Sequence, residues 1–89
     1  MRTIKRIVPT RQWTLEVTFE SGETRVFDTK PLLLLEAFED LRDIERFLMV
    51  RNRGYFIEWD GEIDLSADTL FHDGVSKTSS LSSADSLYV

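Results

Sequence analysis

Eighty-nine residues suffice for one domain and are too few for two, and a content of 42% hydrophobic and 11% aromatic residues excludes a wholly disordered chain. The absence of cysteine excludes disulfides, thiolate metal sites and thiol nucleophiles. Eleven basic residues against sixteen acidic ones give a net charge of −5, so non-specific attraction to phosphate backbones has little to draw on.

Residues 3–8 are rich in β-branched side chains and stop at Pro9, which predicts a strand and its breaker. Trp13, Leu15, Val17 and Phe19 then alternate with Thr14, Glu16, Thr18 and Glu20, a period of two that puts one apolar row on a core and one polar row in water. Ser21-Gly22 supplies a turn, and residues 24–28 form the return strand. Three such strands make an antiparallel meander with one face to cover.

Two helical pieces follow. Thr29 is placed to cap the first, with Pro31 in its first turn and Leu32 to Leu35 and Phe38 as its apolar side. Four consecutive leucines point in every direction around a helix, so this piece is expected to be short and deeply packed. Asp43 is placed to cap the second, where Ile44, Phe47 and Leu48 stand at helical spacing. Residues 48–52 and 55–59 predict two further strands around Arg53-Gly54, and Asp60-Gly61 is a turn signal. Ile63 and Leu65 flank Asp64, Ser66 can cap a last short helix over 67–71, and Gly74 ends it.

Six serines and no aromatic residue occupy 76–86, which reads as a flexible Ser-rich tail over 75–89 following a single domain over 1–74. The tail carries one apolar triplet, Leu87-Tyr88-Val89, which can fray or dock. The expected class is α+β: a small curved antiparallel sheet, made of a three-strand meander plus a later strand pair, packed with two or three short helices. Met1 to Pro9 lacks an apolar stretch of signal-peptide length, and no apolar run approaches the roughly 18 residues that span a bilayer. A cytoplasmic protein is expected.

Three groups of side chains are candidates for chemistry or binding. Asp60, Glu62, Asp64 and Asp68 crowd oxygen ligands together, but glycine stands second and no acid stands twelfth, so the EF-hand pattern is not met. A turn, a solvent-facing acid and helix-start acids account for them, with Trp59 as an apolar anchor and Asp64 bonding backbone N–H groups ahead of the last helix. Glu36, Glu39, Asp40 and Asp43 form a second acidic patch, suited to a basic partner. Arg2, Lys5, Arg6, Arg51 and Arg53 are the candidate nucleic-acid contacts, or else solvated strand edges that discourage pairing. His72 is the only histidine, too few for a histidine-rich metal site, and after a short helix it is read as an exposed side chain favourable near the helix C-terminus, with a catalytic base as the minor alternative. No catalytic residue, metal or cofactor is expected.

The order of motifs resembles a small bacterial family, the domain of unknown function 2442. The residues that carry the likeness are Leu15-x-Val17-x-Phe19-x-x-Gly22, Val26-x-Asp28, Pro31-Leu32-Leu33, Phe38-x-x-Leu41, Asp43-x-x-x-Phe47, Ile57-x-Trp59, Ile63-Asp64-Leu65 and Asp68-x-Leu70-Phe71. The likeness runs from about Ile4 to His72, and Phe71 stands where the family commonly has tyrosine. It implies a compact α+β domain with a curved antiparallel sheet. It also implies a chain found alone or ahead of a helix-turn-helix domain, often beside genes of toxin–antitoxin character, with no catalytic residues established. The expectation is therefore a non-enzymatic protein-interaction module whose partner is another protein. The alternative is a small transcription-related regulator that touches nucleic acid through the arginines. A sheet edge at 3–8 or 48–52 offers a route to a homodimer.

Overall fold

The computed structural model describes residues 2–76. Strands β1 (Ile4–Pro9), β2 (Thr14–Phe19) and β3 (Thr24–Asp28) form the expected antiparallel meander. Leu15, Val17 and Phe19 are buried and the residues between them are not, as a period of two requires. Gly22 turns the second hairpin at a φ of 98°. One register shift lies between Ile4 and Arg6, so that Lys5 is the extra residue of a bulge. A bulge raises local twist and re-aims the strand end. Here it carries Ile4 to the second sheet, where its N–H donates to the Gly54 carbonyl at 2.7 Å and its carbonyl accepts from Asn52 Nδ2 at 2.9 Å.

That second sheet contains β4 (Arg51–Asn52), β5 (Phe56–Trp59) and β6 (Ile63–Ser66), all antiparallel in the order β4-β5-β6. The two sheet edges expected to be open to a second copy thus meet each other at the Ile4 end. Between the sheets the chain forms two short 3-10 helices, Lys30–Leu34 and Glu36–Arg42, and then α1 (Ile44–Phe47). After β6 comes α2 (Ala67–Asp73), capped by Ser66 Oγ accepting from the Thr69 N–H at 3.1 Å. Val75–Ser76 is a further short strand, β7, which pairs with β3 and completes the order β1-β2-β3-β7. The fold is α+β with two open sheets and short helices. None of the helices among the described residues is long and apolar enough to cross a membrane.

One core serves both sheets: Ile4, Leu15, Val17, Phe19 and Phe27 from the first, Ile57, Trp59 and Ile63 from the second, and Leu41, Phe47, Ala67 and Leu70 from the helices. The two tryptophans fasten the helical stretch to the two sheets. Trp13 Nε1 donates to the Leu41 carbonyl at 2.7 Å, and Trp59 Nε1 donates to the Phe47 carbonyl at 2.8 Å. Each bond satisfies a carbonyl at or near a helix end that has no partner of its own.

Four local expectations are corrected. Trp13 precedes β2 and has a φ of 61°, so it turns the chain instead of extending the strand's apolar row. Thr29 makes no capping bond; its buried hydroxyl donates across the sheet to the Trp13 carbonyl at 2.6 Å. The four leucines are not deeply packed: Leu32 and Leu33 are half-buried, while Leu34 is 81% and Leu35 52% exposed. A 3-10 turn stacks side chains every third residue, so one face meets the core and the rest of the run is left outside. Residues 48–50 are not strand either, because the Leu48 and Met49 N–H groups close α1 onto the carbonyls of Ile44 and Arg46. Val75 and Ser76, at the start of the expected tail, pair with β3 as β7. The rest of the Ser-rich tail, with Leu87-Tyr88-Val89, lies outside the described residues.

Candidate functional site

Glu36, Glu39 and Asp40 lie on the second 3-10 helix and Asp43 directly follows it, all four exposed. Asp43 has a structural task, since its Oδ1 accepts from the Glu45 N–H at 3.0 Å and caps α1. Asp40 stands 3.9 Å from Arg46. Glu36 and Glu39 make no ion pair among the described residues. Arg42, the cation closest in sequence, turns its Nε to the Leu33 carbonyl at 2.8 Å. Sequence reasoning missed what stands beside these carboxylates. Leu34 and Leu35 are exposed immediately before Glu36, so an apolar spot adjoins carboxylates that make no ion pair among the described residues.

The motif residues Trp59, Asp60, Asp64 and Asp68 do not converge. Trp59 is buried against Phe47, Asp60 pairs with Arg51 at 3.1 Å, and Asp68 faces Arg2 at 3.4 Å. Asp64 is exposed on β6 and, among the described residues, bonds no backbone N–H; the cap of α2 is made by Ser66. Among the described residues no three carboxylate or histidine groups come close enough to hold a metal ion. His72 is exposed, with its ring edge-on to Phe71.

Of the candidate basic residues, Arg2, Arg51 and Arg53 face acids. Register places Arg51, Glu58 and Asp64 in one row across β4, β5 and β6. Glu58 and Asp64 oppose each other as like charges, which is unfavourable by itself. Arginine offsets this: Arg53 Nε donates to Glu58 at 2.7 Å, and Arg51 lies 3.5 Å from the same oxygen. Arg2 lies over the Phe71 ring at 3.6 Å, and Lys5 and Arg6 are exposed on the bulged strand. Sequence reasoning overlooked Arg25. Its guanidinium stacks on Phe71 at 3.8 Å and donates to the Phe71 carbonyl at 2.9 Å. The partner is 46 residues away, so no local pattern could announce it. The Phe71 ring is thus used as a platform for two cations, for which a hydroxyl is not required.

Two carboxylates titrate below their ordinary range. Glu58 does so chiefly through the hydrogen bond from Arg53, helped by the charges of Arg53 and Arg51 and opposed by partial desolvation. Asp28 does so chiefly through the Lys30 backbone N–H at 3.0 Å, opposed by desolvation and helped by the Lys30 ammonium. A carboxylate lowered in the folded state adds stability above its unfolded pKa and loses it as pH falls. The thermal midpoint should therefore hold from pH 7 to about 5 and decline below about pH 4.5, where carboxylates of the unfolded chain take up protons. Glu58→Gln should lower the midpoint at pH 7 and flatten the decline. An unchanged slope in melts from pH 3 to 7 would show that the Arg53–Glu58–Arg51 row adds nothing.

A groove of about 540 Å³ opens between β3, β7 and the first 3-10 helix, lined by Val26, Phe27, Pro31, Leu32 and Val75 with Asp28 and Asp73. A smaller recess of about 380 Å³ lies between Arg46, Met49, Trp59 and Asp60. Comparison with known families finds one profile, described as protein of unknown function (DUF2442), matching residues 4–76. No curated protein and no solved structure matches.

Proposed function

This chain belongs to the DUF2442 family of proteins of unknown function, and we propose that it is a non-enzymatic, cytoplasmic protein-interaction module for a small basic partner. The observation that carries the reading is the exposure of Leu34 and Leu35 beside Glu36 and Glu39, whose carboxylates make no ion pair among the described residues. Exposed leucines flanked by charge suit a binding surface in which an apolar centre supplies affinity and a charged rim supplies orientation. A partner with a basic rim around an apolar patch completes both, as in a toxin–antitoxin-like or regulatory pair. The arginines favour this over nucleic-acid contact, because Arg2, Arg51 and Arg53 already face carboxylates.

The test compares tagged full chain with two double variants, Leu34→Ser/Leu35→Ser and Glu36→Lys/Glu39→Lys, in affinity capture from host-cell lysate at two salt concentrations. One basic protein in near-stoichiometric amount is expected with the parent chain. Each variant should lose it by about tenfold or more while melting normally, and salt should weaken what remains. Retention of the partner by both variants, capture of nucleic acid instead, or no partner at all would end the proposal.

A further inference from the structure

The groove beside β7 is apolar on a face of the sheet that is otherwise polar. Register sets Glu16 opposite Val26 and Val26 opposite Val75, so the two valines share the face that turns away from the core. On β2 that face carries Thr14, Glu16 and Thr18. Here it carries two valines, walled further by Pro31 and Leu32, and Val75 is 55% exposed. The groove holds about 540 Å³, within the range of sites that take small organic molecules. Its ionisable lining is of one sign, Asp28 and Asp73. Asp28 is offset by Lys30 at 3.0 Å, whereas the exposed Asp73 carboxylate makes no ion pair or hydrogen bond among the described residues.

We propose that this groove binds a small organic amine, a primary ammonium group carried on an apolar chain or ring. Val26, Val75, Pro31 and Leu32 receive the apolar body, whose removal from water supplies the affinity. Asp73 receives the ammonium and so fixes which end of the ligand lies beside α2. An uncharged ligand would leave that carboxylate unused, and an acid would be opposed by Asp28 and Asp73 together. A primary ammonium is protonated at neutral pH, as lysine is, so it meets an ionised carboxylate without a proton transfer. A peptide strand fits less well, because β7 presents only Val75 and Ser76 as an edge to pair with. The site uses none of the residues of the Leu34–Leu35 surface and needs no second protein.

The test follows the amide spectrum of the full chain at neutral pH during titration with hexylamine, hexanol and hexanoate, which share an apolar chain and differ in charge. Hexylamine should saturate, with shifts gathered at Val26, Leu32 and Val75 and absent at Gly61 and Glu62. Hexanoate should bind there roughly tenfold more weakly. Asp73→Asn, a change at an exposed side chain, should weaken hexylamine by about threefold and leave hexanol unchanged. Val75→Ser should weaken hexylamine and hexanol alike. Equal binding of hexylamine and hexanoate, scattered or unsaturable shifts, or indifference to Asp73→Asn would each overturn the proposal. So would tighter binding of a capped Leu-Lys-Leu peptide, which would assign the groove to a basic protein segment. Groove shifts that follow protein concentration alone would assign it to a second copy and overturn the proposal as well.

Discussion

Replacing Trp59 by alanine is expected to remove about 3–5 kcal/mol of stability, a large part of what a domain this small possesses. Trp59 is 2% exposed and does two things at once. Its ring stacks on Phe47 with centroids 5.9 Å apart, and its Nε1 donates to the Phe47 carbonyl at 2.8 Å. Four-residue α1 is far too short to persist alone, so its position depends on this anchorage. Trp59→Phe separates the contributions. It keeps most of the apolar area and deletes the donor, and should cost about 1–2 kcal/mol. In urea the alanine variant should lower the midpoint by roughly 1–3 M, followed by circular dichroism because fluorescence would then report Trp13 and not the altered site. A loss under about 1 kcal/mol for Trp59→Ala would mean that the second sheet and α1 are held together by other contacts.

The parts of this fold visible in the sequence are those whose causes are local. Alternation at Leu15, Val17 and Phe19 needs only a period of two, and Asp43 and Ser66 each bond an N–H two or three residues ahead. Turns at Gly22, Gly54 and Gly61 follow from positive φ values that glycine accepts freely. The errors share a different cause. Thr29 carries a sequence signature for a cap, but a carbonyl sixteen residues earlier in the chain takes its hydroxyl. The leucine run has the composition of a core helix, and only the 3-10 geometry decides which leucines stay outside. For the candidate site the acids were visible, but the pairing of Arg51 and Arg53 with Glu58 depends on strand register. Composition cannot supply register, so the ion pairs of Arg51 and Arg53 with Glu58 could not be read from the chain.

Gly74 offers the second large expected effect, and for a reason opposite to that of the turn glycines. Its φ is −82° and its ψ 160°, a backbone that any residue adopts. What it lacks is room: a Cβ would lie 2.5 Å from the Leu70 carbonyl oxygen, 3.2 Å from Arg25 Cβ and 3.4 Å from the Val26 carbonyl oxygen. Two of those three are backbone atoms, one on α2 and one on β3, so neither can swing aside as a side-chain tip would. Gly74→Ala must therefore push the end of α2 from β3. That loosens the Gly74 N–H bond to Leu70 and the Arg25 bond to the Phe71 carbonyl, and with them the pairing of Val75 and Ser76. The expected cost is about 1–3 kcal/mol by overpacking, with faster amide exchange concentrated at β7 and the end of α2. Asparagine distinguishes the two kinds of glycine, since it enters the left-handed region more readily than other residues. At Gly22, where φ is 98° and nothing lies within 4 Å of a Cβ, Gly22→Asn should meet only the strain of the positive φ, about 1 kcal/mol. At Gly74 it should cost at least as much as alanine. Equal tolerance at both positions would mean that β7 is held too weakly for its displacement to matter, and that the sheet in effect ends at β3.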